Sequence, residues 1–453
     1  MNNYVRCFMG VCFVSLIFSC KKFVDISTPE DRVMANRVFT DDNKATSAIT
    51  AIYGNMINGS SSFANFYTTL YGGMSSDELQ KFNASAYDKE FMDNTLSSTN
   101  ATVSAIWKTA YQSIYYANAG IKGLENSTGV AATTKMQLIG ECRFIRALCY
   151  FYLVNFYGDV PLVATTDYRV NSSLPRSSVN DIYELIKTDL TMAKENLPAS
   201  YLTSEKIRPN KWVATALLAR VYLYNKEWEK AELEATEVIN SGLYTPLLPL
   251  TNTFLKNSKE AIWQLIPNSG VLKETQQIRP SGSVLTPQII LTTSLLQSFE
   301  KGDERRFKWI DSITYAGNKY YYPAKYKNTT TTVTEYYTVL RLGEQYLIRA
   351  EAKANQSKLA EAVSDLNIIR NRAGLSSLSS TLSQLQILSA VEQERKVELF
   401  AEWGHRWFDL KRTDRANNVL GILKNNWSST NILYPIPIED ILSNSNLKQN
   451  AGY

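Results

Sequence analysis

Six side chains constrain this chain more tightly than any other local pattern: Leu138, Cys142, Ile145, Cys149, Tyr152 and Phe156 recur at intervals of four, three, four, three and four. That rhythm draws one apolar stripe along a helix, which the sequence places over Lys135 to Tyr157. Tyr150, Leu153, Val154 and Tyr157 add bulk on other faces, so the helix is predicted to be central, with internal partners required for Arg143 and Arg146. Gly158-Asp159-Val160-Pro161 should end it, because Gly158 relaxes the backbone and Pro161 cannot continue a helix.

Most other long segments carry the same 3.6-residue periodicity, joined by loops rich in Asn, Ser, Thr and Gly, so the fold class is mainly α. At 453 residues and 44% hydrophobic content the chain can bury a large core. Two segments have the form of tetratricopeptide-like helix pairs. In Lys211 to Asn240, Ala219 and Ala231 stand twelve apart across a turn at Asn225-Lys226-Glu227, and in Glu344 to Arg370 the same holds for Ala350 and Ala362. Small residues at that spacing let paired helices approach closely. The pairs begin more than a hundred residues apart, so long insertions are expected to separate the units of a helical scaffold rather than a fixed-period solenoid. The two largest irregular regions are 58–99 and 245–338, where function is expected. Thr332 to Val339 favours a short strand, and the proline-bearing end from Asn431 to Tyr453 an extended path.

At the other end, Arg6 precedes an apolar run from Cys7 to Phe18 that is too short to span a membrane as a helix and reads as an export signal, residues 1–19. Ile17-Phe18-Ser19-Cys20 resembles a lipobox, which makes Cys20 the predicted lipidation site and anchors the body to a membrane through several acyl chains. Cys142 and Cys149 lie seven apart on the central helix, roughly 10 Å along its axis, too far for an intrahelical disulfide. They read as small core hydrophobes. A formal charge of +5, dispersed and without basic runs, argues against nucleic acid.

Four ordered blocks then carry a family resemblance. The first runs from Arg143-Phe144-Ile145-Arg146-Ala147 to Tyr157-Gly158-Asp159-Val160-Pro161-Leu162. The second is Lys211-Trp212 with Ala216 to Tyr224, and the third Arg341-Leu342 with Tyr346 to Ala352 and Asn367 to Gly374. The last runs from Glu394 to Leu399 through Glu402-Trp403-Gly404-His405-Arg406-Trp407-Phe408-Asp409 to Tyr434-Pro435-Ile436-Pro437 and Gln449 to Tyr453. In order and spacing they resemble the SusD/RagB family of nutrient-binding outer-membrane lipoproteins over nearly the whole mature chain. The resemblance implies one SusD-like domain over 20–453, its N- and C-terminal family regions folding together and its ligand loops within 58–99 and 245–338. It also implies a cell-surface protein that captures a glycan or oligosaccharide, without catalysis, for a SusC-like TonB-dependent transporter. Capture of peptides by the same architecture, a surface glycan hydrolase and a periplasmic tetratricopeptide scaffold are the competing readings.

The residue inventory favours binding over catalysis. His405 is the only histidine, so a histidine triad or multi-histidine metal site has little to build on; no cofactor and no metal are expected. Glu394, Arg395, Glu398, Glu402 and Arg406 lie three or four apart, which reads as ion pairing along a helix face. A sugar needs a flat apolar surface for its C–H face and amides or carboxylates for its hydroxyls, and loop aromatics supply the first. The candidates in the first insertion are Phe66, Tyr67, Tyr71, Phe82 and Tyr87, with Phe63 beside them and Asp77, Glu78, Gln80 and Asn83 as polar neighbours. Those in the second are Trp309 and Tyr320-Tyr321-Tyr322, with Tyr315, Asn318 and Lys319 nearby. Trp107, Tyr111, Trp212 and Trp228 sit on periodic helices and are assigned to the core.

Overall fold

A computed structural model describes residues 38–58, 61–267, 269–280 and 286–453. The proposed export signal and Cys20 lie outside the described residues. Helix dominates, at 55% against 8% strand, as the periodicity predicts.

The scaffold is a series of packed helices. α1 (Asp42–Asn58), α2 (Thr68–Ser75) and α3 (Ala86–Asp93) precede the long pair α4 (Ala101–Glu125) and α5 (Ala132–Tyr157). Next come α6 (Val179–Asn196), α7 (Lys211–Tyr224) and α8 (Trp228–Asn240). After α9 (Lys273–Ile278) follow α10 (Leu342–Asn355), α11 (Leu359–Arg372), α12 (Gln384–Glu398), α13 (His405–Arg412), α14 (Ala416–Leu423) and α15 (Ile438–Ser443). α5 is the central helix: all six stripe residues are buried, as are Tyr150, Leu153, Val154 and Tyr157. Arg143 and Arg146 find their internal partner in Asp189 of α6, at 2.9 and 2.7 Å. Gly158 ends α5 at φ +75°, a left-handed conformation that suits glycine. Cys142 and Cys149 are free and buried.

Both helix pairs form where the alanines place them, with Ala219, Ala231, Ala350 and Ala362 fully buried. Although a hundred residues separate them in sequence, the pairs stack directly in space through α8 and α10. The stretch between them is an insertion that still reaches the core, with Trp263 and Trp309 buried. Of the aromatics assigned to the core, Trp107 is buried, whereas Tyr111, Trp212 and Trp228 are half-buried against it.

The insertions hold more regular structure than their composition suggests. Besides α2, α3 and α9 they contain β1 (Leu79–Lys81), β4 (Ala261–Leu265), β5 (Ile289–Leu291), β6 (Ile310–Tyr315) and β7 (Asn318–Pro323). Between them in the chain, the short β2 (Val160–Pro161) and β3 (Arg176–Ser177) pair beside the end of α5. The strand expected over Thr332 to Val339 forms later, as β8 (Tyr337–Arg341), which pairs with β4. Its first residues instead make a loop held by Glu335, whose carboxylate accepts the backbone N–H groups of Lys327 and Asn328. The C-terminal segment is not extended throughout, since Ile438–Ser443 forms α15. Its remainder is pinned to α5: Tyr434 is fully buried, and Asn450 donates to the carbonyls of Tyr157 and Tyr434, both at 2.8 Å.

The charged run near the end of α12 is arranged differently from a helix-face ladder. Glu398 faces Arg341, Arg305 and Arg372, and Glu402 faces Arg341 and Lys325. Glu394 meets Arg305 and Arg370, Arg395 pairs with Asp409, and Arg406 reaches Asp77 and Glu392. These are buried contacts between elements. The helix ends at Glu398, so Glu402 and Arg406 leave the face on which a three-or-four spacing would align them. His405 is buried in this region, and burial, followed by the nearby Arg220 and Arg395 charges, holds its pKa well below the usual histidine value.

Candidate functional site

Short strands far apart in sequence bring the two insertions together. β1 and β5 pair antiparallel, with Leu79 opposite Leu291, Gln80 opposite Ile290 and Lys81 opposite Ile289. The ladder is extended by Phe82 N–H donating to the Gln288 carbonyl at 2.8 Å and Thr292 N–H donating to the Glu78 carbonyl at 2.9 Å. β5 packs in turn on β7, so the tyrosine hairpin lies beside the first insertion.

The first wall of the site is a tight π-turn, Phe63–Tyr67, that leads into α2. Ser62 accepts the N–H of Ala64, and the Thr68 hydroxyl donates to the Phe63 carbonyl at 2.8 Å. Inside the turn Phe66 adopts φ +67°, an arrangement that costs a bulky residue about 1–3 kcal/mol and that recurs at functional sites. The result is that Phe63 and Phe66 point into the core while Tyr67 remains at the surface, half-buried. Tyr67 meets Tyr71 edge to face at 5.0 Å, and Tyr71 packs on Phe91 at 4.5 Å and donates to Asp88 at 3.5 Å. Two aromatic rings are thereby fixed at one edge of a groove.

That groove has a volume of about 440 Å³ and is lined by Tyr67, Leu70, Tyr71, Lys81, Gln276, Gln277, Arg279, Gln288 and Ile289. Tyrosines from the first insertion face amides and a guanidinium from α9 and the strand that follows. Lys81 is held by Asp88 at 2.8 Å. Arg279 lies 6.0 Å over the Tyr322 ring. A second aromatic group adjoins it, in which Phe82 contacts Tyr320 at 5.0 Å and Tyr315 at 5.6 Å. Such a lining can stack an apolar ring face on tyrosine and satisfy hydroxyls with glutamine amides.

The residues expected from sequence divide accordingly. Tyr67 and Tyr71 line the groove, and Phe82 and Tyr320 flank it. Tyr320, Tyr321 and Tyr322 do not share one face, because successive strand side chains alternate. Tyr320 turns toward Phe82, Tyr322 is buried under Arg279, and Tyr321 is flanked by Arg306 at 4.4 Å and Lys319 at 5.4 Å. Tyr87 is 47% exposed on α3 and is not part of the groove lining. Phe66, Trp309 and Asp77 are buried and outside the groove lining, and Tyr71, although it lines the groove, is itself only 6% exposed. Phe66 is 1% exposed inside the strained turn. Trp309 is 1% exposed, donates its indole N–H to the Leu250 carbonyl at 2.9 Å, and packs on Phe254. Asp77 is buried and accepts from Lys396, Arg406 and Ser294 at 2.7–2.8 Å. Burial opposes its ionisation, but Arg406 and Lys396 hold its carboxyl well below the usual range.

Lys81, Gln276, Gln277, Arg279 and Gln288 went unnoticed in sequence. The run Gln276-Gln277-Ile278-Arg279 was the available signal: two adjacent amides on a six-residue helix that buries only Glu274, Thr275 and Ile278, followed at once by a guanidinium. A larger cavity of about 920 Å³ lies elsewhere, between α1 and α4 where the described chain begins, lined by residues such as Phe39, Ile49, Ile52 and Tyr115. None of the candidate residues lines it. Among the described residues no cluster of three or more His, Cys, Asp or Glu side chains has the arrangement of a metal site, and no helix is long and apolar enough to cross a membrane.

Comparison with known proteins follows the same outline. Residues 22–223 match a family model described as starch-binding associating with outer membrane, and residues 292–453 match the SusD family model. A SusD-like protein of Formosa agariphila, P2, is 29% identical over 435 residues, covering 81% of this chain and 83% of its own. Among solved structures, a SusD superfamily protein from Bacteroides vulgatus superposes with a TM-score of 0.81 at 21% identity, covering 92% of this chain and 100% of its own. A laminarin-binding SusD-like protein superposes at 0.77 with 24% identity, covering 92% and 100%. The stretch 224–291, which neither family model matches, contains Gln276, Gln277, Arg279 and Gln288.

Proposed function

From the premise that this chain belongs to the SusD/RagB family, we propose that it captures an extracellular glycan or oligosaccharide, without chemical turnover, and passes it to a SusC-like TonB-dependent transporter in the outer membrane. The observation that carries this reading is the groove in which Tyr67 and Tyr71 face Gln276, Gln277 and Gln288. An apolar ring surface opposite hydrogen-bonding amides is what a pyranose requires, and the groove's volume suits a few sugar units rather than a polymer domain. The laminarin-binding neighbour supports a glycan as the ligand class.

The remaining parts of the proposal concern place and partner. Acylated Cys20 tethers the body to outer-membrane lipid, with residues 1–19 removed as the leader. Residues 20–453 act as one body, which is supported by a hydrophobic cluster running from Ala45 to Leu447.

Calorimetric titration of the full-length protein in detergent against glycan and peptide panels tests the capture reading. Saturable binding of one glycan class, weakened about tenfold or more by Tyr67→Ala through loss of ring stacking, is expected. Binding of peptides alone, or release of cleaved sugar from the bound glycan, would overturn it.

A further inference from the structure

The groove is electrically one-sided. Among the described residues its lining contains two cations, Lys81 and Arg279, and no carboxylate. Behind the lining, Asp88 offsets Lys81 at 2.8 Å and is itself almost fully buried. Arg279 has no comparable partner among the described residues. Its nearest carboxylate among the described residues is Asp311, at 3.6 Å, beyond hydrogen-bond range and half exposed.

The Arg279 side chain is only 21% exposed. A guanidinium carries five N–H donors in a fixed fork and does not lose its proton, so partial burial without a close acceptor leaves a strong donor set unused. The surroundings compound this. Lys327 lies close enough that, after burial, the Arg279 charge is the main influence holding its ammonium below the ordinary lysine value, and Lys308 acts in the same direction. Glu335 and Asp311 oppose them, but Glu335 is already engaged by the backbone N–H groups of Lys327 and Asn328.

We propose that the glycan bound in this groove is acidic, and that Arg279 is the residue that selects it by a two-pronged hydrogen bond to a carboxylate or sulfate group on the sugar. This deepens the capture reading and rests on it: Tyr67, backed by Tyr71, takes the ring face, the glutamines take hydroxyls, and Arg279 takes the charge. Lys81, already paired with Asp88, is largely neutralised and leaves the charge recognition to Arg279. The selecting residue lies in the segment between the two family matches, 22–223 and 292–453.

The test is titration of the full-length protein in detergent with an oligogalacturonate, a sulfated galactan oligosaccharide and neutral laminari- and malto-oligosaccharides, repeated with Arg279→Gln and Tyr67→Ala. Tight binding of one acidic probe is expected, weakened about ten- to a hundredfold by Arg279→Gln and by raising salt from roughly 50 to 500 mM, because a charge-assisted pair is lost or screened. Which acidic probe binds identifies uronate or sulfate as the group read. A wild-type preference for neutral sugars, or an acidic-to-neutral preference unchanged by Arg279→Gln, would overturn the inference while leaving capture intact if Tyr67→Ala still weakens binding about tenfold or more. Binding of acidic peptides with no glycan bound would overturn both.

Discussion

Asp77 and Glu78 are adjacent, both buried, and placed in opposite electrostatic settings. Asp77 sits between Arg406 and Lys396, which overcome its burial and hold its carboxyl well below the usual range. Its stabilising contribution is present above the unfolded pKa and is lost as pH falls toward the folded value. Glu78 has no cation at hydrogen-bond distance; its one hydrogen bond among the described residues is a weak one from Ala401 N–H at 3.4 Å. Burial first, and then the Asp77 charge, push it up from 4.5 to about 8. A raised carboxyl works in the reverse sense: the unfolded chain ionises from about pH 4.5 while the folded chain keeps its proton, so stability declines up to about pH 8 and levels off beyond. Glu78→Gln, which keeps the shape and removes the titration, is therefore expected to melt increasingly above wild type between pH 5 and 8. The advantage should grow by at most roughly 1.4 kcal/mol per pH unit, and melting curves across that range would check it. An advantage that stays constant with pH would refute the assignment.

At the level of elements, Arg341 shows how the helices are tied to the insertions. It stands at the end of β8 and donates to Glu402, Glu398 and, more weakly, Glu260, while Lys325 comes from the strand-bearing insertion to the same Glu402. Replacing Arg341 with Met would leave buried carboxylates without their main counter-charge, and a loss of about 3–5 kcal/mol in stability is expected by chemical denaturation. A loss under about 1 kcal/mol would show that Arg305, Arg372 and Lys325 carry the load by themselves. This tie was hidden in the sequence, where Glu398, Glu402 and Arg406 read as one helix face because nothing local announced that the helix stops at Glu398. The stripe of α5 and the alanines of the two helix pairs were legible, since both are periodicities within one element. The groove was legible only in halves. Tyr67 and Tyr71 stood out as aromatics in a polar stretch, but their opposite wall depends on a three-residue ladder between strands more than two hundred positions apart. The tyrosine triplet misled for the opposite reason: adjacency in sequence suggested a common surface, and the strand's alternation split it.

Over the whole molecule, the last residues close the fold against its middle. Asn450 bridges the end of α5 to the Tyr434 carbonyl and receives the Arg176 guanidinium at 2.5 Å, joining three segments through one amide. Asn450→Ala should cost about 1–3 kcal/mol, because it strands buried acceptors and a donor together, and a lowered thermal midpoint with an unchanged far-ultraviolet helix signal would register it. A midpoint equal to that of wild type would mean that Tyr434 alone holds the segment. The same bond has a consequence in time. Between Tyr157 and Asn450 lie 293 positions, roughly 15–60 s of synthesis at 5–20 residues per second. Until then the chain lacks the clamp at the end of its central helix, a delay written in the distance between two residues that meet across most of the sequence.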